Sequence, residues 1–271
     1  LPEAPSEGTP TFTIIVPTCD RPDLLEHALS SVRRQTCADW RLIVVDDGTE
    51  GLDLDPLVQP FDDIRLFKTA GRIGAASARN VGIEHVDTDW IVFLDDDDEF
   101  LPDFLENLKS RVAGKGAAPV LAITDLIVVD YNSDREVVRE RVKTFVSAPT
   151  PPGHDIHQAI RTGMSGLALN RCALDRAGPM DPSYKTMDDS EWIFRLVEAG
   201  AEIVFVSPAG VRVHNHARGD RLSDARLFDL RIEECERAKA RFQTLGGRFP
   251  GLGDLLDAIV RGLKAQIEPA A

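Results

Sequence analysis

The run Ile91-Val92-Phe93-Leu94, followed at once by Asp95-Asp96-Asp97-Asp98-Glu99, restricts the fold more than any other segment of this 271-residue chain. A short apolar run of this kind reads as a fully buried strand. Consecutive carboxylates cannot continue into a core, because like charges repel unless a cation or solvent relieves them. The strand must therefore end at an opening. Hard oxygen donors suit Mg²⁺ or Mn²⁺, and alternation along an extended segment puts Asp95 and Asp97 on one side. The competing reading is a solvated acidic turn leading into a helix that begins at Pro102.

The residues before this run alternate strand and helix patterns. Phe12 to Val16 reads as a strand. A helix then starts at Asp20-Arg21-Pro22, with Asp20 as its cap, Pro22 in its first turn and Leu24, Leu25, Ala28, Leu29 and Val32 on its apolar face. Leu42 to Val45 is a second strand ending in Asp46-Asp47-Gly48, and Ile64 to Phe67 a third. Gly74 opens a helix that runs to about Val86. This alternation predicts an α/β fold with a mostly parallel, Rossmann-like sheet flanked by helices. In such sheets ligands bind beyond the carboxyl ends of the strands. Thr18 and Asp20, Asp46 and Asp47, and Asp95 to Asp98 all collect there.

Further on, Ser147 to Gly153 reads as a loop or hinge. Asp188 to Ala199 is an amphipathic helix with Trp192, Ile193, Leu196 and Val197 inward. Ile203 to Val206 and Val211 to Val213 read as two strands, and Ser223 to Gln243 and Leu252 to Ile267 as a C-terminal helical extension. The formal net charge of −14 makes nucleic acid and anionic membrane surfaces poor partners. A phosphorylated ligand would need a local cation. Cys19, Cys37, Cys172 and Cys235 are scattered without a CxxC pair, which fits reduced thiols in a cytoplasmic protein. No apolar run reaches transmembrane length.

Four segments carry a resemblance: VPTCDRPDLLEHALSSVRRQT, VVDDG, GAASARNVGI and FLDDDDEF. In this order and spacing they resemble the family 2 glycosyltransferases, which adopt the GT-A fold and invert the anomeric centre. The likeness is close over 11–105 and looser over 163–223. It implies a nucleotide-sugar donor, with a UDP-sugar favoured, and an acceptor the sequence does not identify. By position it makes Asp97 the metal ligand and places Asp95 and Asp96 in the ribose and metal shell. Pro17, Thr18 and Asp20 would line the nucleoside pocket, and Asp47, or alternatively Asp46, would accept a hydrogen bond from the base. Arg79, early in the helix after Gly74, suits a diphosphate; a surface ion pair is the alternative. Gly71-Arg72-Ile73-Gly74 departs from the Asn-containing form common in the family and receives no role.

Met187-Asp188-Asp189-Ser190-Glu191-Trp192 resembles the family segment that supplies the general base. Asp188 and Glu191 have capping-box spacing, which would occupy Asp188 and leave Asp189 as the base. Both acids could instead simply favour the helix dipole. His214 and His216 alternate on one face of a strand. The resemblance suggests either as a further metal or phosphate contact, with His216 ahead, an ordinary surface pair being the alternative, and it puts Thr162 to Gly166 beside the acceptor. The corresponding divisions are a flexible tail (1–10), a nucleotide-sugar-binding half (11–130), an acceptor-binding and catalytic half of the same domain (131–222) and C-terminal helices (223–271).

Two other readings stay open. Asp95 and Asp97 match the first motif of haloacid-dehalogenase-type phosphatases, although Glu99 stands where Thr or Val is expected. A non-catalytic module that binds sugar nucleotides is the other. No GxGxxG follows the first strand, which disfavours a Rossmann dehydrogenase.

Overall fold

A computed structural model describes residues 11–51, 53–59, 64–145, 154–216, 227–242 and 252–267. The expected tail at 1–10, the hinge at 147–153 and the first residues of the extension at 223–226 lie outside them.

The first half builds strands β1 (Phe12–Thr18), β2 (Trp40–Asp46), β3 (Ile64–Lys68) and β4 (Trp90–Phe93). They lie in the order β3-β2-β1-β4, every neighbour parallel. Between them run helices α1 (Pro22–Arg33), α2 (Asp55–Val58) and α3 (Ala75–Glu84). All residues of β1 and β4 are buried, as expected for strands covered on both faces. Helix α3 lies close on β1: a Cβ at Gly82 would come within 2.7 Å of the Ile15 side chain, so glycine permits that approach. Register places Thr18 opposite Asp46, and Asp46 opposite Lys68, so the carboxyl ends share one edge.

The second half mixes directions. It comprises β5 (Glu99–Phe100), α4 (Phe104–Val112), β6 (Val120–Tyr131), β7 (Val137–Lys143), α5 (His154–Ala159), β8 (Ala168–Asn170), α6 (Arg171–Ala177), α7 (Asp188–Glu198), β9 (Glu202–Asn215), α8 (Phe228–Arg241) and α9 (Leu252–Ile267). Strand β8 runs antiparallel between β4 and β6, β9 runs parallel to β6, and β5 and β7 pair antiparallel at the margins. One sheet thus continues through both halves.

Several sequence expectations change in detail. The two strands foreseen near 203 and 211 are one strand, β9. Its register jumps from Thr124↔Val206 to Leu126↔Val211, and residues 207–210, which include Pro208, form the irregularity. Proline has no N–H for the ladder, so the pattern reads as broken although pairing resumes beyond it. Asp20 does not cap α1. Arg21 holds the cap position without a side-chain bond, and Asp20 turns back at φ 54° to accept the Glu50 N–H (3.2 Å) and pair with Arg72. Pro102 precedes its helix rather than beginning it. The amphipathic reading of α7 holds: Trp192, Ile193, Leu196 and Val197 are all buried. Among the described residues no helix is long and apolar enough to cross a membrane, and all four cysteines are free thiols.

Candidate active site

A cavity of about 560 Å³ opens at the carboxyl edge of β1 and β4, within the usual size range of ligand pockets. Pro17, Thr18, Asp47, Arg79, Asp95 to Asp98, Asp188, Asp189 and His216 all line it. Asp20, Asp46 and His214 do not. Residues from β1, the turn after β4, α3 and α7 therefore converge, although more than ninety positions separate Asp95 from Asp189 in the chain.

The acidic run folds as a turn, with the Asp98 N–H bonded to the Asp95 carbonyl at 3.1 Å. Asp96 and Asp98 point inward, with side chains 1% and 5% exposed, while Asp95 and Asp97 remain 31% and 20% exposed. Asp96 accepts the Thr18 hydroxyl (2.7 Å) and pairs with Arg21 (3.0 Å). Burial nevertheless pushes its carboxyl up to about 7. Asp98 accepts the Ser165 hydroxyl and the His214 N–H, and burial, then the charges of Asp97 and Asp95, raise it well above the usual carboxylate range. Burial and the neighbouring carboxylates thus both disfavour the charged forms here, which a cation in the cavity would relieve.

This donor set fits a hard divalent ion. Among the described residues no three His, Cys, Asp or Glu side chains converge as a ready-made cage. One or two carboxylates whose shell is completed by phosphate and water is the usual way proteins hold Mg²⁺ at phosphate sites. Asp97 and Asp95 are placed for it. His216 lines the same cavity, its ring stacked at 4.8 Å on Tyr131 and at 6.0 Å on His214. The two histidines share one face, as alternation predicts. The His214 ring nitrogens, however, lie 2.8 Å from the Tyr131 hydroxyl and 3.1 Å from Glu99. That hydrogen bond is the main reason Glu99 is held below its ordinary range.

Arg79 departs from the sequence reading. It lines the cavity, but it is not a surface residue. Its side chain is 7% exposed and donates to Asp95 (2.6 Å) and Asp188 (3.2 Å), tying the end of β4 to the start of α7. Burial works against its charge, but the two carboxylates outweigh that and strengthen it. Removing one partner of a buried ion pair leaves the other charge uncompensated. Arg79→Met should therefore lower the unfolding free energy by about 3–5 kcal/mol, measured by urea titration. A loss below ~1 kcal/mol would show the pairs to be as weak as exposed ones.

The capping box expected at Asp188 is also absent. Met187 holds the cap position, Asp188 is the first helical residue and bonds Arg79, and Glu191 pairs with Arg195 one turn on. Asp188 is engaged, but by a long-range partner that periodicity within α7 cannot reveal. Asp189 accepts the Ser190 N–H at 2.6 Å and its hydroxyl at 3.1 Å. Burial raises both acids, Asp188 to about 6 against the pull of Arg79, and Asp189 against its bonds from Ser190.

On the β2 side, Asp47 accepts the N–H groups of Ile73 (2.8 Å) and Gly74 (2.9 Å) and the Thr69 hydroxyl (3.2 Å). It thus fastens the 71–74 loop, and an ionised carboxylate with about four lone-pair sites keeps room for another donor. Asp46 instead closes a turn onto the Thr49 N–H. Gly163 and Met164 line the cavity, and Ser165 braces the acidic turn through the Asp95 N–H (3.0 Å). Sequence reasoning missed Arg21, Tyr184, Lys185 and Arg231, which also line the cavity. The demand of five carboxylates for a cation pointed toward Arg21; nothing local distinguishes Arg231 on its charged helix.

An uncharacterized glycosyltransferase of Haemophilus influenzae is 24% identical over 69% of this chain and 62% of its own length. The Campylobacter jejuni GalNAc(5)-diNAcBac-PP-undecaprenol beta-1,3-glucosyltransferase is 34% identical over 41% of this chain and 37% of its own. The chain thus spans less than two thirds of these relatives. The crystal structure of S. aureus TarS 1-349 matches with a TM-score of 0.65 at 15% identity, covering 94% of this chain and 71% of that one. Its complex with UDP-GlcNAc matches at 0.64. The fold is accordingly of the GT-A type. The family model "Glycosyl transferase family 2" matches residues 13–154, just over half of the sequence, and this chain belongs to that family.

Proposed function

We propose that this chain is an inverting, metal-dependent glycosyltransferase that moves a sugar from a UDP-sugar to an acceptor hydroxyl, with Asp189 as general base. The observation that carries the reading is one cavity holding both the acidic turn after β4 and the acids that open α7, joined through Arg79. TarS binds UDP and UDP-GlcNAc in the same fold, which supports this donor class. The phosphatase alternative is weakened by Glu99, which stands where that motif expects Thr or Val and lies 3.1 Å from the His214 ring.

In this reading Asp47 accepts a uracil N–H, and Pro17 and Thr18 bound the nucleoside. Asp97, with Asp95 and His216 beside it, would hold Mn²⁺ or Mg²⁺, which when bound supplies Lewis-acid stabilisation of the leaving diphosphate. Asp189 takes the proton from the acceptor hydroxyl as its oxygen bonds to the anomeric carbon. The bond from that carbon to the UDP oxygen breaks on the opposite face, UDP leaves with the electron pair, and the centre inverts. A carboxylate raised by burial is a stronger base than one in water.

Thermal unfolding in the presence of UDP, GDP or TDP, each with and without Mn²⁺, tests the donor and the metal together. UDP with Mn²⁺ should stabilise most, by about 2.7 kcal/mol at a hundredfold excess over its Kd. If no nucleotide shifts the transition under any metal condition, the reading fails.

A further inference from the structure

Residues 181–187, which deliver Asp188 and Asp189 to the cavity, form turns and bends without regular secondary structure. Helix α8 clasps them along their length. Arg237 donates to the Ser183 carbonyl at 3.0 Å and lies 3.9 Å over the Tyr184 ring. Glu234, 1% exposed, accepts the N–H groups of Lys185 (2.6 Å) and Thr186 (2.9 Å) and the Thr186 hydroxyl (2.7 Å). The Cys235 sulfur meets the Met187 sulfur at 3.8 Å, and Arg241 reaches Asp181 (3.4 Å) and Glu191 (3.0 Å). All of these α8 residues lie outside the span matched by the family model.

Glu234 is the centre of this clasp. Three donors on one buried carboxylate fix two successive peptide planes just before the first turn of α7, and a buried acceptor deprived of its donors is costly. The carboxylate does not border the cavity, so its effect on chemistry has to pass through the segment it holds.

We propose that Glu234 is a positioning residue for the transfer step, setting the register of residues 185–187 and thereby the aim of the Asp189 carboxylate. The inference rests on the reading of Asp189 as base. It makes the C-terminal helix part of the reaction apparatus, because displacement of a base by about 1 Å can cost about 10²-fold in rate.

The test compares the full chain with Glu234→Gln, Thr186→Val and the double variant. Glutamine keeps the shape but turns one acceptor into a donor; valine removes only the hydroxyl contact. UDP affinity in Mn²⁺ is measured by calorimetry, the unfolding midpoint by calorimetric scan, and turnover by UDP release from UDP-glucose, UDP-galactose and UDP-GlcNAc. UDP affinity should hold in Glu234→Gln while UDP release falls by about 10²-fold, and the midpoint should drop only by the few degrees that one lost buried hydrogen bond costs. Thr186→Val should lose less, and the double variant no more than Glu234→Gln, since both substitutions act through one contact. Affinity, midpoint and turnover falling together would mark a merely structural role and overturn the proposal, as would normal turnover in Glu234→Gln. If Glu234→Gln does not fold, Thr186→Val is read beside Thr186→Ser, since Thr186 also lines the cavity: the split must appear in Thr186→Val and be absent in Thr186→Ser, which keeps the hydroxyl. A wild-type chain that binds no UDP in Mn²⁺ defeats the reading on which this proposal rests, an outcome visible before any variant is made.

Discussion

Replacing Asp97 by alanine should remove the response of UDP binding to Mn²⁺ and lower turnover by more than about 10²-fold, while the protein stays folded. The argument begins with exposure. Asp97 lies in a turn whose even-numbered members are buried and already bonded by Thr18, Arg21, Ser165 and the His214 N–H. Its own contact with Arg21 is long, at 3.4 Å, and its side chain is 20% exposed. Alanine there removes a charge from the cavity wall at a partly exposed position, so the cost should fall on ligand binding rather than on folding. Calorimetric titration of UDP with and without Mn²⁺ checks this. Unchanged metal dependence in Asp97→Ala would move the ion to another set of ligands.

Asp189→Asn should behave in the opposite way, keeping metal-dependent UDP affinity and losing about 10²–10⁴-fold in transfer, the usual worth of a positioned base. Asparagine preserves size and an oxygen for the Ser190 N–H, so only the ability to take a proton is lost. A pH profile adds a second check. The base works ionised, and burial raises both Asp188 and Asp189. Activity should therefore fall as pH drops through a limb lying above the ordinary carboxylate range, a limb that belongs to the interacting pair rather than to one acid. Near-normal transfer by Asp189→Asn would pass the role to Asp188.

Much of this site could be read from the chain because the first half obeys local rules. Apolar runs such as Ile91 to Leu94 can only be buried strands, and the polar residues that stop them are forced to one edge of a parallel sheet. Alternation also sorted the acidic run correctly: Asp95 and Asp97 are the exposed members, although the backbone there is a turn. The readings that needed revision all depend on partners far away in sequence. Capping spacing within α7 said nothing of Arg79, 109 positions earlier, and a helix-start position for Arg79 said nothing of its burial. Asp20 has the chemistry of a cap, yet its partners come from the loop after β2 and from Arg72. Pro208 looked like a strand end because one strand's own pattern does not disclose that its neighbour carries the pairing across the gap.

The ring of Phe93, the last residue of β4, meets Trp192 of α7 edge-on at 5.6 Å, and both side chains are fully buried. Just beyond this contact Arg79 links the same two elements through charge. The acids that would greet the phosphates and the acid that would greet the hydroxyl are therefore mounted on a common chassis, spaced by packed aromatic rings rather than by a hinge. Packing and charge thus couple the two sets of acids, so that a substitution loosening either contact should disturb both ends of the cleft together.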